Sequence, residues 1–159
     1  MKTAQIQIVL ATATMHLNGM DVEATAFLPR HAHEGDAGAD IRAFLPDGPI
    51  GIEPGEVRAV PTGLSMRIPM GTGLLILPRS SFGARKLKVA NSPGLIDHQY
   101  TGEVMVLLHN ESEEPIVIEH GERIGQGVLV DVYQQQFERV DSLPETLRGN
   151  GGLGSTGAK

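Results

Sequence analysis

Three stretches of this sequence set chemically useful side chains close together. In Gly94-Leu95-Ile96-Asp97-His98-Gln99-Tyr100-Thr101-Gly102-Glu103-Val104 an aspartate stands three residues before a tyrosine. Asp97 could take a proton from water and Tyr100 could wall in something flat or ring-shaped. The plainer alternative is a hairpin, its turn shaped by Asp97 and Gly102, with Tyr100 packed on a sheet. The chain has only two tyrosines and four phenylalanines, so a ring at that place calls for a use. The second stretch, "PRSSFGARK" (78–86), gathers Arg79, Ser80, Ser81, Arg85 and Lys86 around an expected strand-to-helix turn. Arginine beside free N–H groups suits a phosphate. The third is "RGNGGLGSTG" (148–157), where glycine-dense backbone after Arg148 lets successive N–H groups point at an anion and Ser155 and Thr156 add hydroxyl donors. Its spacing imitates a P-loop, but Ser155 stands where the lysine belongs and no strand precedes it, so that reading is rejected.

Other constellations are weaker. "HAHEGDAGAD" (31–40) holds His31, His33, Glu34, Asp36 and Asp40. On a strand, His-x-His would share one face and could begin a metal site. The surrounding glycines make it a loop, and surface histidines are the default. His98, His109 and His120 have no serine or cysteine partner in a recognisable triad. With no cysteine, neither disulfides nor thiolate metal ligands are available. A formal net charge of −6 argues against broad nucleic-acid binding, so an anionic ligand would need a local basic pocket or a metal ion.

The elements that must position these residues read as strands. A chain of 159 residues is most simply one domain. Its 20 glycines and 10 prolines separate short apolar or alternating segments, as in an all-β sandwich or barrel. The segments are 5–10, 22–28, 39–44, 56–60, 63–68, 73–77, 103–109, 115–119 and 123–133. The one expected helix is short, around Ser80 to Lys88, capped by Ser80 or Ser81. After Gln136 the apolar rhythm stops. The first residues, "MKTAQIQIVLATATM", imitate a signal peptide, but Gln5 and Gln7 alternate with Ile6 and Ile8 as in a strand. No run approaches the ~18 apolar residues of a membrane span, so a cytoplasmic protein is expected.

Taken together, these segments resemble the trimeric dUTP pyrophosphatase (dUTPase) family. Five stretches in order carry the resemblance: "AGADI" (37–41), "PRSS" (78–81), "GLIDHQYTGE" (94–103), "RIGQ" (123–126) and "RGNGGLGSTG" (148–157). The resemblance implies an all-β jelly roll, or β-clip, over residues 1–136, with an arm over 137–159 that closes on the active site. It implies a homotrimer with active sites shared between chains, and neither membrane nor stable nucleic-acid binding. The implied reaction is hydrolysis of dUTP to dUMP and pyrophosphate, which keeps uracil out of DNA and supplies dUMP for dTTP synthesis. Mg²⁺ would be bound to the triphosphate with no direct protein ligand, Asp40 ordering it through water.

By the same resemblance Asp97 is the base that activates water, and Tyr100 packs under deoxyribose and leaves no room for a 2′-hydroxyl. Asn91 pairs with the uracil edge, helped by backbone groups of the Asp97 hairpin, and Met105 lies just beyond. Arg79, Ser80 and Gln126 match phosphate-handling positions. Ser81, Gly94, Ile96, Gly154 and Ser155 are counted with the substrate-binding residues, and Arg148 belongs to the closing arm. Three departures stand out: Ser81-Phe82 replaces a glycine-led pair, His98-Gln99 lacks an acid before the tyrosine, and Leu153 occupies the arm's usual phenylalanine position, with Phe82 as a conceivable partner. The nearest rival, dCTP deaminase, needs a glutamate where this chain has Leu107. A non-catalytic nucleotide sensor is the rival of another class.

Overall fold

The computed structural model describes residues 3–10, 14–17, 20–23, 27–147 and 149. In chain order the strands are β1 (Gln7–Leu10), β2 (Thr14–Leu17), β3 (Met20–Glu23), β4 (Ala39–Arg42), β5 (Ile50–Ile52), β6 (Val57–Arg67) and β7 (Thr72–Leu77). A single helical turn, α1 (Ser80–Ala84), leads to β8 (Leu87–Val89), β9 (Gly94–Asp97), β10 (Glu103–Asn110), β11 (Ile116–Ile118) and β12 (Arg123–Asp131). Two four-stranded sheets, in the orders β1-β6-β10-β8 and β4-β12-β7-β9, carry the core, and β11-β5 and β2-β3 form small ribbons. The pairings are antiparallel.

Period-2 alternation explains which side of each strand is buried. Along β10, Val104, Val106 and Leu108 are buried while Glu103 and Met105 face outward. These residues meet Val60, Leu64 and Met66 of β6, Leu74 and Ile76 of β7, Ile41 of β4 and Ile124 of β12 in one core. No helix among the described residues is long and apolar enough to cross a membrane. Residues 132–147 form neither helix nor strand, and Tyr133, Phe137 and Leu143 stand more than 80% exposed along them.

Several expectations change in detail. The segments 56–60 and 63–68 are one strand, because the Pro61-Thr62-Gly63 interruption is absorbed as an irregularity in the β6–β10 ladder. Thr62 Oγ1 donates to the Val104 carbonyl at 2.6 Å, and Glu103 accepts the Gly63 N–H at 2.8 Å, so the polar groups freed there stay bonded. In 22–28, Val22 and Glu23 belong to β3, and Phe27 packs edge-on against Phe44 and His120. Neither Ser80 nor Ser81 caps α1. Both lie inside the turn, and the capping place falls to Arg79, whose side chain makes no capping bond. The short strands β2, β5, β8 and β9 have too few residues to show a period in the sequence.

Candidate active site

One cluster forms where β4, β12 and β7 lie side by side. Gln126 is opposite Asp40 on one flank and Leu77 on the other, so the chain leaving β7 sets Arg79 and Ser80 beside both. The result is a polar pocket of about 360 Å³ lined by Asp36, Gly38, Asp40, Arg79, Ser80 and Gln126 among others. Asp40 Oδ1 accepts Arg79 Nε–H at 2.9 Å and Oδ2 accepts Arg123 Nη1–H at 3.2 Å. Gln126 donates to the Pro78 carbonyl at 3.0 Å. Its amide lies directly over Gly38, where a Cβ would come within 2.5 Å of Oε1. Glycine in "AGADI" thus leaves the "RIGQ" glutamine its present position, and any larger residue would make that amide shift. The N–H groups of Ser80 and Ser81 have no partner within the helix, while that of Phe82 donates to the Arg79 carbonyl at 3.0 Å, and Ser80 faces the pocket. Cationic side chains, a neutral amide and free N–H groups at one corner are the chemistry of an anion site.

A second cluster follows β9. Asp97 ends that strand, is exposed, and its backbone carbonyl accepts the Tyr100 N–H at 3.0 Å in a tight turn. The Asp97 carboxylate has no protein partner among the described residues. Tyr100 folds back over Gly102 and donates its hydroxyl to the Glu103 carbonyl at 2.8 Å, leaving the ring 45% exposed. A Cβ on Gly102 would sit 2.7 Å from that hydroxyl, so the glycine seats the ring. Asn91 lies against Gly94 with its amide exposed, Ile96 is half-buried, and Met105 is 39% exposed. The segment is not a paired hairpin, however. β9 pairs with β7 and β10 with β6 and β8, so the turn carries the chain from one sheet to the other.

The two clusters do not meet within one chain. Gln126 is level with Leu77 of β7, and Asp97 with Gly73. Four residues of strand separate those levels, about 13 Å at ~3.3 Å per residue. Ser81 is exposed on α1 beside Ser80. Arg148, Leu153, Gly154 and Ser155 lie outside the described residues, and Phe82, set beside Leu153 in the sequence reading, belongs to the buried core. Arg123 is the residue that sequence reasoning passed over. It stood in "RIGQ" without a role, because only the fold brings it to Asp40. Elsewhere, Lys88 hydrogen-bonds Glu111 and holds its carboxyl below the usual range, on the outer side of β8 and β10.

An all-β fold with an arginine, serine and glutamine corner defines a sheet protein with a polar pocket, suited to an anion, at one end of a sheet. Relatives narrow that class. A family model described as dUTPase matches residues 24–157. The deoxyuridine 5'-triphosphate nucleotidohydrolase of Roseobacter denitrificans is 46% identical over 150 residues, 93% of this chain and 99% of that protein. Its counterpart from Picosynechococcus is 41% identical over 144 residues, 90% and 99% of the two chains. Among solved structures, a dUTPase variant from phage 80alpha superposes with a TM-score of 0.77 at 25% identity, covering 97% of this chain and 99% of that one. The Streptococcus mutans dUTPase gives 0.64 at 27% identity over 70% and 91%. The chain belongs to the dUTPase family, whose named members are hydrolases.

Proposed function

We propose that this chain hydrolyses dUTP between its α and β phosphates, giving dUMP and pyrophosphate, in a homotrimer whose active sites are shared. The observation that carries this reading is the pairing of an arginine–serine–glutamine corner with a separate, exposed Asp97, whose carboxylate has no partner among the described residues, beside a half-exposed Tyr100 ring. The family membership gives the substrate its name. In the proposed reaction Arg79, the α1 N–H groups, Ser80 and Gln126 hold the phosphates. Ser81 adds a donor at their edge. Asp97 takes the proton of a water as its oxygen bonds to phosphorus, and pyrophosphate departs with the bridging oxygen. Tyr100 lies under the sugar, where a 2′-hydroxyl would collide with it. Asn91, Gly94, Ile96 and Met105 border the base, and Arg148, Leu153, Gly154 and Ser155 would close over the nucleotide as part of an arm from 137 to 159.

Mg²⁺ would come to the site as part of the substrate. Among the described residues no group of three or more histidines and carboxylates could hold a metal, and both Asp40 oxygens already accept guanidinium N–H. A magnesium ion keeps several waters and commonly binds through substrate phosphates, so the ion would arrive on the triphosphate, within water-mediated reach of Asp40.

Two features favour sharing between chains. About 13 Å of strand separates Asp97 from the phosphate corner, so a second copy is the simplest source of the missing half. The exposed Tyr133, Phe137 and Leu143 on an irregular segment also offer apolar side chains that a neighbouring copy would cover. The test is pyrophosphate release from dUTP, dCTP and UTP with Mg²⁺, for wild type and Asp97→Asn. The reading expects activity on dUTP alone and a loss of roughly 100-fold or more in the variant, as general-base terms run about 10²–10⁴. Near wild-type turnover by Asp97→Asn would remove Asp97 from the mechanism. Hybrid trimers of Asp97→Asn and Arg148→Ala chains should regain activity, and no rescue in verified hybrids would count against shared sites.

A further inference from the structure

Arg123 heads β12 and reaches the phosphate corner only through an irregularity in the ladder. Gln126 lies opposite Asp40 and Gly125 opposite Ile41, so unbroken pairing would put Ile124 opposite Arg42. Instead Arg123 is opposite Arg42, and Ile124 is an extra residue on its strand. The bulge resets the alternation. Arg42 shares Asp40's face of β4 by period 2, so Arg123 joins that face while Ile124 is driven wholly into the core. A regular strand would have turned Arg123 away from Asp40.

We propose that Arg123 is a positioning residue for Arg79, acting through Asp40; the inference rests on the reading of this corner as a polyphosphate site. Asp40 serves one guanidinium with each oxygen, Arg79 Nε at 2.9 Å and Arg123 Nη1 at 3.2 Å. While Arg123 occupies Oδ2, Arg79 is held by one bond through Nε, and both of its Nη groups stay available to the pocket it lines. Arginine and carboxylate favour a two-bond, fork-to-fork pairing when both oxygens are open. Loss of Arg123 frees Oδ2 for Arg79, drawing one Nη into the pair and turning the guanidinium away from phosphate. It also takes one of its two guanidinium partners from the Asp40 carboxylate.

The test is calorimetric titration of the full chain with dUpNHpp and with dUMP, each with Mg²⁺, for wild type, Arg123→Ala, Arg123→Lys, Asp40→Asn and the Arg123→Ala/Asp40→Asn double variant. Arg123→Ala should weaken dUpNHpp about tenfold and dUMP less than threefold, while Arg123→Lys, which still offers a cation to Oδ2, recovers most of the loss. In the Asp40→Asn background, removing Arg123 should change dUpNHpp affinity less than twofold. Arg123→Gln replaces the alanine variant if that chain does not fold, with the same expectations. Equal weakening of both ligands with a lowered unfolding midpoint would make Arg123 a structural residue. An undiminished effect in the Asp40→Asn background would make it a direct phosphate ligand, and no effect at all would leave it without a role; any of the three overturns the proposal. Titration with inorganic tripolyphosphate separates this from the substrate assignment. Arg123-dependent tripolyphosphate binding by a wild type that neither binds nor hydrolyses dUTP would refute the nucleotide reading and support the positioning role.

Discussion

Adding a single methyl group at Gly38 should disable the phosphate corner while leaving the barrel folded. The backbone there is outside the positive-φ region, so alanine brings no conformational strain. Its Cβ would stand 2.5 Å from Gln126 Oε1 and 3.1 Å from Cδ, where ordinary contact begins at 3.4 Å. Oε1 must retreat by about 0.9 Å, which displaces the amide whose Nε2 holds the 3.0 Å bond to the Pro78 carbonyl. That exposed bond contributes about 1 kcal/mol or less to stability. The larger loss is functional, because the retreating amide no longer meets phosphate. A hydrogen bond to a charged group is worth about 1.5–3 kcal/mol, or roughly 10- to 150-fold in affinity. Calorimetry with dUpNHpp on Gly38→Ala, Gln126→Ala and the double variant measures it. The singles should be weakened alike, and the double no further than Gln126→Ala, since both changes remove one contact. Affinity within twofold of wild type for Gly38→Ala, or additive losses in the double, would refute the reasoning.

Asn110 is fully buried, donating to the Ile52 and Glu114 carbonyls at 2.9 and 2.8 Å and accepting from Ser112 N–H and hydroxyl at 2.8 and 2.7 Å. Asn110→Ala should therefore cost about 2–4 kcal/mol in urea unfolding at fixed protein concentration; a cost under about 1 kcal/mol would contradict the bonding described. Gly63 has φ +66° and a Cβ would meet Phe44 Cγ at 2.8 Å, so Gly63→Ala should lose about 1–3 kcal/mol and melt several degrees lower, an unchanged midpoint being the contrary result. Tyr100→Ala should make UTP a detectable substrate, and Gly102→Ala, which displaces the same ring, should share the defect. A dUTP-to-UTP ratio in kcat/KM equal to wild type in both would mean that the sugar is read elsewhere.

Much of this protein was legible in its residues. Period 2 counted from the polar ends Glu103 and His109 of "EVMVLLH" set Val104, Val106 and Leu108 inward on β10, because alternation is a property of the extended backbone itself. By contrast "GLLIL", apolar throughout, marked a strand without choosing its inward face. The order of five chemically distinctive stretches pointed to one family, and the same stretches contain Arg79, Ser80 and Gln126, which the fold brings to one pocket. What the sequence could not contain was register. The 56–60 and 63–68 segments became one strand because Glu103 and Thr62, on different strands, satisfy the irregularity between them. The "GLIDHQYTGEV" turn joins two sheets rather than closing a hairpin, since partners are chosen by long-range packing and not by the turn. Gly38 answers to Gln126, and Arg123 reaches Asp40 only because one bulged residue inverts its face. The roughly 13 Å between Asp97 and the phosphate corner is likewise a count of residues along β7, a length that exists only once both neighbours have paired with it.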